Sequence, residues 1–245
     1  MERARLTRYG LLSVTGDDAR EFLHAQLTKD IRNLPQDRAA FAGWCSAKGR
    51  LLASLLVVPA QQGFLLQLAR DLAPAVAKRL AMFVLRSKVK IADVSDAWEQ
   101  HGVLSSDWNF EGVVWEATKV KIKVADKRFL HLGPAAEMQG EAITAGEEAW
   151  VLEEIRAGRP FISAATQDQF VPQMVNLETL GGVDFQKGCY PGQEIVARAQ
   201  YRGQVKRRMV RLPAPAGAKL LPGQEFNGGV VVDSAGGELL AVVPV

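Results

Sequence analysis

One cysteine lies in the most unusual short segment of this chain. Residues 186–194 read Gln-Lys-Gly-Cys-Tyr-Pro-Gly-Gln-Glu, so two glycines and a proline surround the single thiol of Cys189. Pro191 fixes its own φ angle and disfavours helix at the residue before it, while Gly188 permits backbone conformations closed to other residues. The alternative is a buried cysteine in a tight loop, because free cysteine is among the most buried residue types. We favour a functional thiol, since a merely buried one needs no such loop.

The residues around Cys189 predict a thiol that ionises easily. Lys187 lies two residues upstream, and the run that begins at Gln193 can form a helix whose N-terminus follows the cysteine closely. A nearby cation and a helix N-terminus both stabilise a thiolate and so lower the pKa of the thiol. We therefore predict Cys189 as the reacting group and Lys187 as the residue that favours its ionisation.

The rest of the segment is expected to hold the loop and to line a channel beside it. Arg198 lies four residues after Glu194, a spacing at which the two side chains can pair on one face of a helix. The residues predicted for the loop and channel are Gly188, Tyr190, Gly192, Gln193, Glu194 and Arg198.

The cysteine segment resembles a known family signature. Lys-Gly-Cys-Tyr-x-Gly-Gln-Glu at residues 187–194 is similar to that of the YgfZ family of folate-binding proteins. These are relatives of the glycine-cleavage aminomethyltransferase that serve iron–sulfur proteins and tRNA modification. Further stretches that fit the family lie at residues 14–16, 26–30, 45–50 and 172–183. The resemblance therefore extends over about residues 6 to 211.

The resemblance implies an α+β fold in which three lobes surround a central channel, the last lobe being a small β-barrel. The alternation of strand-like runs with separate helical segments independently indicates α+β. We expect an N-terminal α+β lobe over residues 1–95, a middle α+β lobe with the cysteine segment over 96–200, and a C-terminal β lobe over 201–245. Because only about forty residues follow Tyr201, the barrel is predicted to be shortened.

Folate binding is a further implication of the resemblance, with tetrahydrofolate as the expected cofactor. A site for the flat pterin ring needs an aromatic surface and a few directed polar groups. By local pattern, the folate-contacting aromatics of the family correspond to Tyr9 and Trp150, although Trp150 is equally compatible with core packing. Related aminomethyltransferases have a pterin-pairing glutamate where this chain has Arg156, and a guanidinium cannot accept the N–H bonds of the ring. Glu153 or Glu154 would have to substitute.

Composition excludes several classes of protein. A chain of 245 residues with 48% hydrophobic residues can bury a substantial core, and no apolar run approaches the roughly 18 residues of a membrane span. The first residues lack a signal-peptide pattern. Two cysteines far apart make no disulfide framework, and no Cys-x-x-Cys or histidine cluster indicates a metal site. We expect a cytoplasmic protein with reduced thiols, no membrane association and no tightly bound metal.

Positive charge is concentrated after the cysteine segment. The net charge of +3 is too small to indicate a nucleic-acid partner, and direct binding of tRNA is not expected. No acidic residue lies between Ile195 and Gln224, a stretch that could hold an anion, either the glutamate tail of a folate or RNA phosphate. The alternative is a solvated strand face. The basic residues concerned are Arg198, Arg202, Lys206, Arg207, Arg208 and Arg211.

The remaining cysteine and the histidines are interpreted as structural. Cys45 ends a predicted strand and reads as a small core residue. The sharper alternative is that the fold brings it near Cys189 as a redox pair or as a second thiolate for an iron–sulfur cluster. His24, His101 and His131 have no partner at metal-ligand spacing.

Apolar periodicity predicts the elements that must position these residues. Helices are expected over 19–27, over 71–85 with Asp71 as its cap and Phe83 inward, and over 147–157. The predicted strands lie at 9–14, 39–45, 50–58, 64–68, 89–94, 101–105, 113–116, 120–124 and 128–132, with a strand-like tail from Gln204 onward.

Two classes of function follow. The first is a folate-binding accessory protein whose Cys189 thiolate transiently engages a cluster, a sulfur species or a mixed disulfide during iron–sulfur cluster assembly or repair, and so supports tRNA modification. The alternative is a folate-dependent aminomethyltransferase or demethylase. We prefer the first, because both the cysteine loop and Arg156 count against transferase chemistry. The expected partners are folate and iron–sulfur client or assembly proteins, and the sequence leaves open whether the chain is an enzyme.

Overall fold

The computed structural model describes residues 1–203, 205–218 and 220–245. Gln204, where the strand-like tail is predicted to begin, lies outside them. The strands are β1 (Glu2–Arg5), β2 (Tyr9–Thr15), β3 (Ala40–Cys45), β4 (Leu51–Ala60), β5 (Gly63–Ala69), β6 (Lys90–Asp93), β7 (Trp98–Leu104), β8 (Val113–Glu116), β9 (Lys119–Ala125), β10 (Arg128–Pro134), β11 (Arg207–Pro213), β12 (Glu225–Phe226), β13 (Gly229–Ala235) and β14 (Glu238–Pro244). The α-helices are α1 (Ala19–Gln26), α2 (Ala73–Ala81), α3 (Glu147–Arg156) and α4 (Gln193–Tyr201). Short 3₁₀ turns lie at Ala135–Glu137 and Pro172–Val175.

Three antiparallel sheets organise the chain. The first has the strand order β3-β4-β5-β2-β6, the second β1-β7-β10-β9-β8 and the third β11-β14-β13-β12. Strand β4 is buried along almost its whole length, as expected for a strand covered on both faces. The separate helices and sheets confirm the α+β class.

Helix α1 covers the first sheet with the predicted face. Phe22, Leu23 and Leu27 are all buried, which confirms the apolar spacing read from the sequence. The C-terminal end of α1 is the part that matters for the cysteine segment, because the loop from residue 184 to residue 192 packs against it.

The predicted division into lobes differs from the observed sheets in two places. Strand β1 pairs with β7, Arg3 opposite Val103, so the first residues belong to the second sheet and not to the N-terminal lobe. The segment before α4 packs on the first lobe: Leu51 N donates to Phe170 O at 2.8 Å, and Asp184 N donates to Thr28 O at 2.9 Å. The cysteine segment therefore belongs structurally to the first lobe, because these backbone bonds attach the preceding residues to it.

The C-terminal lobe is a curled half-barrel of four strands. Its edge strands β11 and β12 are not hydrogen-bonded to each other within the part of the chain that the structure describes. A bulge between Val231 and Asp233 bends β13, which increases the local twist of the sheet. The prediction of a shortened barrel is confirmed.

Helix α2 is shorter than predicted. It ends at Ala81, and Phe83, predicted to face inward, has 43% of its surface exposed. Leu85 has a φ of 46°, a left-handed conformation that no helix continues through. The prediction that Asp71 caps the helix is also wrong, because its carboxylate accepts from Ala164 N.

A charged pair joins the first lobe to the half-barrel. Arg8, immediately before β2, donates to Asp233 Oδ2 at 2.9 Å, and its guanidinium carbon lies 3.8 Å from the ring centroid of Phe161. The Asp233 side chain has only 5% of its surface exposed. Burial raises the pKa of Asp233, and the Arg8 charge acts in the opposite direction.

Removal of this cation is expected to destabilise the fold. In Arg8→Met, the buried Asp233 loses its partner, and we expect the free energy of unfolding in urea to fall by about 2–4 kcal/mol. Arg198→Met is the matched control, because the Arg198–Glu194 pair is 3.0 Å apart but exposed, with an expected loss of at most about 0.5 kcal/mol. Equal losses in the two variants would contradict the joining role of Arg8.

Candidate functional site

Cys189 lies on an exposed loop that leads directly into α4. Its side chain is exposed, whereas Tyr190 beside it is buried. Helix α4 begins at Gln193, as predicted, and Gly192 precedes it with a φ of 78°. The loop therefore ends in a turn that favours glycine, and it presents the thiol to solvent next to a buried aromatic anchor.

The cysteine segment, residues 186–194, is in contact with the stretch at residues 45–50. A Cβ atom on Gly192 would lie 2.4 Å from Ser46 O and 2.6 Å from Gly49 N. On the other side, a Cβ atom on Gly49 would lie 2.8 Å from Cβ of Ile195 in α4. The turn between β3 and β4 is therefore packed against the end of the cysteine loop.

Gly192, and not Gly188 as expected, is the glycine whose backbone conformation other residues rarely adopt. Gly188 was predicted to adopt a backbone conformation closed to other residues, but its φ lies outside the left-handed region and a Cβ atom there would meet only one atom at an ordinary 3.7 Å. Gly192 has both the left-handed φ and the close approach. Gly188 instead leaves space over a neighbouring ring, that of His24.

Cys45 is a buried thiol beneath the loop. Only 2% of its surface is exposed, and burial, with the nearby Asp168 charge, raises the pKa of its thiol to about 12. Burial also raises the pKa of Tyr190 well above its usual value, and Cys45 adds to that rise. Both cysteines are free. Cys45 is thus a protonated core residue next to the anchoring tyrosine, which favours the structural interpretation.

Lys187 fastens the loop to the C-terminal end of α1. Its ammonium donates to Leu27 O at 2.5 Å and to His24 O, and lies 4.9 Å from the ring centroid of Tyr190. The last carbonyls of a helix lack partners within the helix and carry its negative end, so a cation there is stabilising. Burial lowers the pKa of Lys187 to about 8, while Asp30, Asp184 and Cys189 act to raise it.

The predicted role of Lys187 in ionising Cys189 stays a prediction. The Cys189 sulfur is close enough to act on the Lys187 charge, but the hydrogen bonds of the ammonium go to backbone carbonyls. The main contacts of Lys187 therefore attach the loop to the end of α1 and so fix the position of Cys189.

His24 is a neighbour of the loop that the sequence did not reveal. It lies in α1, has 5% of its surface exposed, and its Nε2 is the atom that a Cβ on Gly188 would approach to 3.7 Å. Nδ1 accepts from Arg32 N at 3.3 Å and lies 3.0 Å from Asp30 Oδ1. Nε2 is buried without a partner. No local signal marks this histidine, because 163 positions separate it from Lys187.

The other predicted loop residues and the basic residues after them differ in their contacts and exposure. The Gln193 amide donates to Lys187 O at 3.4 Å across the loop. Glu194 and Arg198 form the predicted i,i+4 pair at 3.0 Å on the exposed face of α4. In the basic stretch, Arg208 pairs with Glu178 at 2.5 Å, while Arg202 and Lys206 are exposed.

A wide cleft opens beside the loop. It has a volume of about 1000 Å³, and it extends from the loop across to β3 and α4. Lys29 and Asp184, 3.0 Å apart, form part of its wall. The lining includes Phe41, Phe185, Lys187 and Tyr201.

The residues predicted to contact folate lie in the interior. Trp150 has 2% of its surface exposed and packs on Gly102, where a Cβ atom would come within 2.4 Å of the indole. Tyr9 has 8% exposed and meets Phe161 edge-on at 5.1 Å. Tyr9 lines an outer cavity of about 330 Å³ and an inner one of about 40 Å³, and Trp150 lines neither. Burial raises the pKa of Tyr9 above its usual value.

Of the two substitutes considered for the pterin-pairing glutamate, Glu154 faces the interior. It lines the inner cavity, and its Oε1 accepts from Arg128 and from Arg159, both at 2.9 Å. Arg156 points outward and donates to Glu153 at 2.8 Å and to Glu238 at 2.9 Å. The carboxylate near Tyr9 is thus that of Glu154.

Comparison with solved structures shows the class of fold. The chain is similar to glycine cleavage system aminomethyltransferase T from Bartonella henselae, with a TM-score of 0.75 and 16% sequence identity, over 99% of this chain and 78% of that one. This is the aminomethyltransferase fold expected from the sequence.

Comparison with curated proteins shows the family. The chain is 32% identical over 233 residues to the tRNA-modifying protein YgfZ of Serratia proteamaculans, covering 86% of this chain and 71% of that protein. It is 30% identical to the protein of the same name from Cronobacter sakazakii, covering 91% of this chain and 74% of that protein. No family model matches the chain. The chain belongs to the YgfZ family.

The described residues contain neither a membrane-spanning helix nor a cluster of metal-ligating side chains. None of the helices in residues 1–203, 205–218 and 220–245 is long and apolar enough to cross a membrane. Over the same residues, no group of three or more His, Cys, Asp or Glu side chains is placed to hold a metal ion.

The contact between Gly192 and the β3–β4 turn predicts a position that accepts only glycine. Gly192→Ala adds both a strained φ and a clash with backbone, so we expect it to lose at least about 3 kcal/mol in free energy of unfolding. Gly181→Ala is the matched control, because Gly181 has a φ of 70° with nothing within 4 Å of its Cβ position, and about 1 kcal/mol is expected. If both variants lose the same free energy in urea unfolding, the close packing is not what holds the loop.

The buried Lys187 predicts a stability that depends on alkaline pH. Its pKa is about 8 in the folded chain, below the value near 10.4 of an unfolded lysine, so between these values the unfolded chain binds the extra proton. The free energy of unfolding should therefore rise with pH from 8 to 10, by up to about 2 kcal/mol relative to Lys187→Met. Parallel pH curves for the two proteins would show that Lys187 stays charged and solvated.

Proposed function

We propose that this chain is a folate-binding accessory protein that supports iron–sulfur cluster assembly or repair, and through it tRNA modification, by means of Cys189. The observation that carries the proposal is one accessible thiol, on a loop whose Lys187 lines a wide cleft. The other cysteine, Cys45, is buried and protonated at neutral pH. Cys189 is therefore the thiol that a partner can reach.

The chemistry proposed for Cys189 follows from its exposure. A thiolate can attack a sulfur of a partner's disulfide or persulfide to form a mixed disulfide, or it can transiently ligate an iron atom of a cluster. Both reactions need a sulfur that a macromolecule can approach and a loop that does not collapse on it. Lys187 and Gly192 keep the loop from collapsing on the sulfur, since they attach its two ends to α1 and to the β3–β4 turn.

The partners proposed are folate and iron–sulfur client or assembly proteins. The cleft of about 1000 Å³ beside the loop is large enough to admit a folate or a protruding segment of a client. We propose that the effect on tRNA is indirect, through the cluster enzymes that modify it, and that the chain works in the cytoplasm with its thiols reduced.

Folate fits the chemistry of the inner cavity but not its present volume. Glu154 offers a carboxylate oxygen to ring N–H groups, and Tyr9 and Phe161 offer aromatic edges and faces. A volume of about 40 Å³ holds roughly one water molecule and not a pterin. Phe41 lines both this cavity and the wide cleft, so its side chain is the partition that must move for the ring to enter.

The folate proposal is tested by two matched carboxylate variants. Isothermal calorimetry with tetrahydrofolate should give at least about tenfold weaker binding for Glu154→Gln, because a charged hydrogen-bond acceptor is lost. Glu99→Gln, which changes the outer cavity of about 330 Å³, should bind like the wild-type chain. The reverse order of affinities would move the site to the outer cavity, and no heat in any protein would remove folate from the proposal.

The role of Cys189 is tested by rescue. In a strain that lacks its own homologue, the wild-type chain and Cys45→Ala should restore the activity of cluster-dependent enzymes, including those that thiolate tRNA. Cys189→Ser should restore little, because the serine oxygen that replaces the sulfur neither attacks a disulfide nor ligates iron well. Full rescue by Cys189→Ser would contradict the proposal and favour the alternative, a folate-dependent aminomethyltransferase or demethylase, which needs no thiol.

A further inference from the structure

Two buried histidines face each other across neighbouring strands of the second sheet. His101 in β7 is directly opposite His131 in β10, and 1% and 2% of their surfaces are exposed. Both ring nitrogens of His131, and Nδ1 of His101, are buried without a hydrogen-bond partner in the part of the chain that the structure describes. A neutral imidazole has one donor and one acceptor, so the ring of His131 leaves both of them unpaired in the interior, which is unfavourable.

The connection between β7 and β8 places aromatic side chains against these histidines. We call residues 105–112 the Trp108 segment. Trp108 meets the ring of His131 edge-on, with the ring centroids 5.8 Å apart, and meets Phe129 in the same way at 5.4 Å. Phe110 adds a contact with Phe129 at 5.1 Å. The segment therefore packs directly on the strand that carries His131.

Backbone hydrogen bonds attach the Trp108 segment at its two ends. Ser105 N donates to Lys127 O at 3.0 Å, and Gly112 O accepts from Lys123 N at 2.8 Å. Within the described part of the chain, no backbone hydrogen bond joins residues 106–110 to another element. The middle of the segment is therefore held mainly by the packing of its two aromatic side chains, and it can open without breaking a strand pairing.

The charged groups around the two rings are mostly cations. Lys121 in β9 is directly opposite His131, and its ammonium lies 5.1 Å from the ring centroid of Trp108. The other cations that act on one or both rings are Arg3 and Arg5 of β1 and Lys119 of β9. The nearby carboxylates are each paired with a cation of this face, in the pairs Glu99–Arg5, Glu111–Lys123, Glu116–Lys121 and Glu141–Arg3. Glu99 also lies 3.0 Å from Nε2 of His101.

Both rings are uncharged at neutral pH. Burial lowers the pKa of His131 from its ordinary 6.5 to about 4, and Arg3, Lys121 and the other nearby cations act in the same direction. Burial also lowers the pKa of His101, with Glu99 opposing it. Because the folded pKa lies below the ordinary one, the stability of the closed segment is complete above pH 6.5 and is lost as the pH falls toward 4.

We propose that His131, with His101 beside it, is an acid-sensitive switch that releases the Trp108 segment from the second sheet. This inference is independent of the function proposed for Cys189. Protonation gives the buried ring a second unpaired donor and a positive charge close to other cations, which is costly in the interior. The indole offers little compensation, because the Lys121 ammonium already lies against it. Opening of the segment brings the ring nitrogens into water and exposes two aromatic side chains.

The test measures how fast papain cuts the chain within residues 105–112 between pH 5 and pH 7.5, with the products identified by mass spectrometry. Each rate is divided by the rate for a free peptide of residues 103–114 at the same pH, which removes the pH dependence of the protease. Cleavage of this kind follows the population of the open form. With a pKa of about 4 when closed and 6.5 when open, that population should rise about thirtyfold from pH 7.5 to pH 5, and the relative cleavage rate with it.

Two variants and a control assign the effect. His131→Phe removes the titrating group and keeps an aromatic ring beside Trp108, so its relative rate should rise less than about threefold. Lys121→Met, at a side chain with 25% of its surface exposed, serves if His131→Phe does not fold, and removal of this cation should make the rise smaller than in the wild-type chain. His24→Gln is the matched control, because His24 is also buried but lies beside the cysteine loop, and it should behave like the wild-type chain.

The proposal is overturned if the wild-type chain shows no rise, or if His131→Phe or Lys121→Met rises as steeply as the wild-type chain. It is equally overturned if the cuts at pH 5 are spread over the whole chain, because acid would then unfold the molecule and not release one segment.

Discussion

The site depends on one packing contact, the approach of the Gly192 backbone to the turn at residues 46–49. A Cβ at Gly192 would penetrate this turn, and the turn itself is held by β3 and β4 of the first sheet. Lys187 adds the second attachment, because its ammonium completes the carbonyl end of α1. The cysteine stands between two fixed points, so the position of its sulfur is set by the first lobe.

This arrangement explains why an exposed thiol needs so much buried structure. Tyr190 fills the space under the loop beside Cys45, and the buried Cys45 remains protonated and inert. Of the two cysteines, Cys189 is therefore the exposed one. The aminomethyltransferase fold supplies the scaffold, but the contacts that define the site are those between α1, the β3–β4 turn and the loop before α4. The inner cavity near Glu154 is a separate feature of the interior.

The features that depend on residues close together in the sequence were predictable, and those that depend on distant segments were not. The start of α4 at Gln193, the Glu194–Arg198 pair and the buried face of α1 depend on spacing within a few residues, and all three are confirmed. The contacts of His24 with the cysteine loop and the requirement for glycine at position 192 join segments more than 140 positions apart, which no local pattern encodes. The pairing of β1 with β7 was missed for the same cause. The prediction that Phe83 faces inward was wrong, because α2 ends at Ala81 while the apolar pattern continues beyond it.

The central claim is that the folded loop makes Cys189 more reactive than an ordinary thiol while Cys45 stays protected. Its most direct measurement is competitive labelling of the native chain at pH 7 against a short unfolded peptide of residues 186–194, with each cysteine resolved by mass spectrometry. The account predicts that Cys189 in the folded chain reacts several-fold faster than the same cysteine in the peptide, and that Cys45 reacts only after denaturation. A folded Cys189 that reacts no faster than the peptide would contradict it.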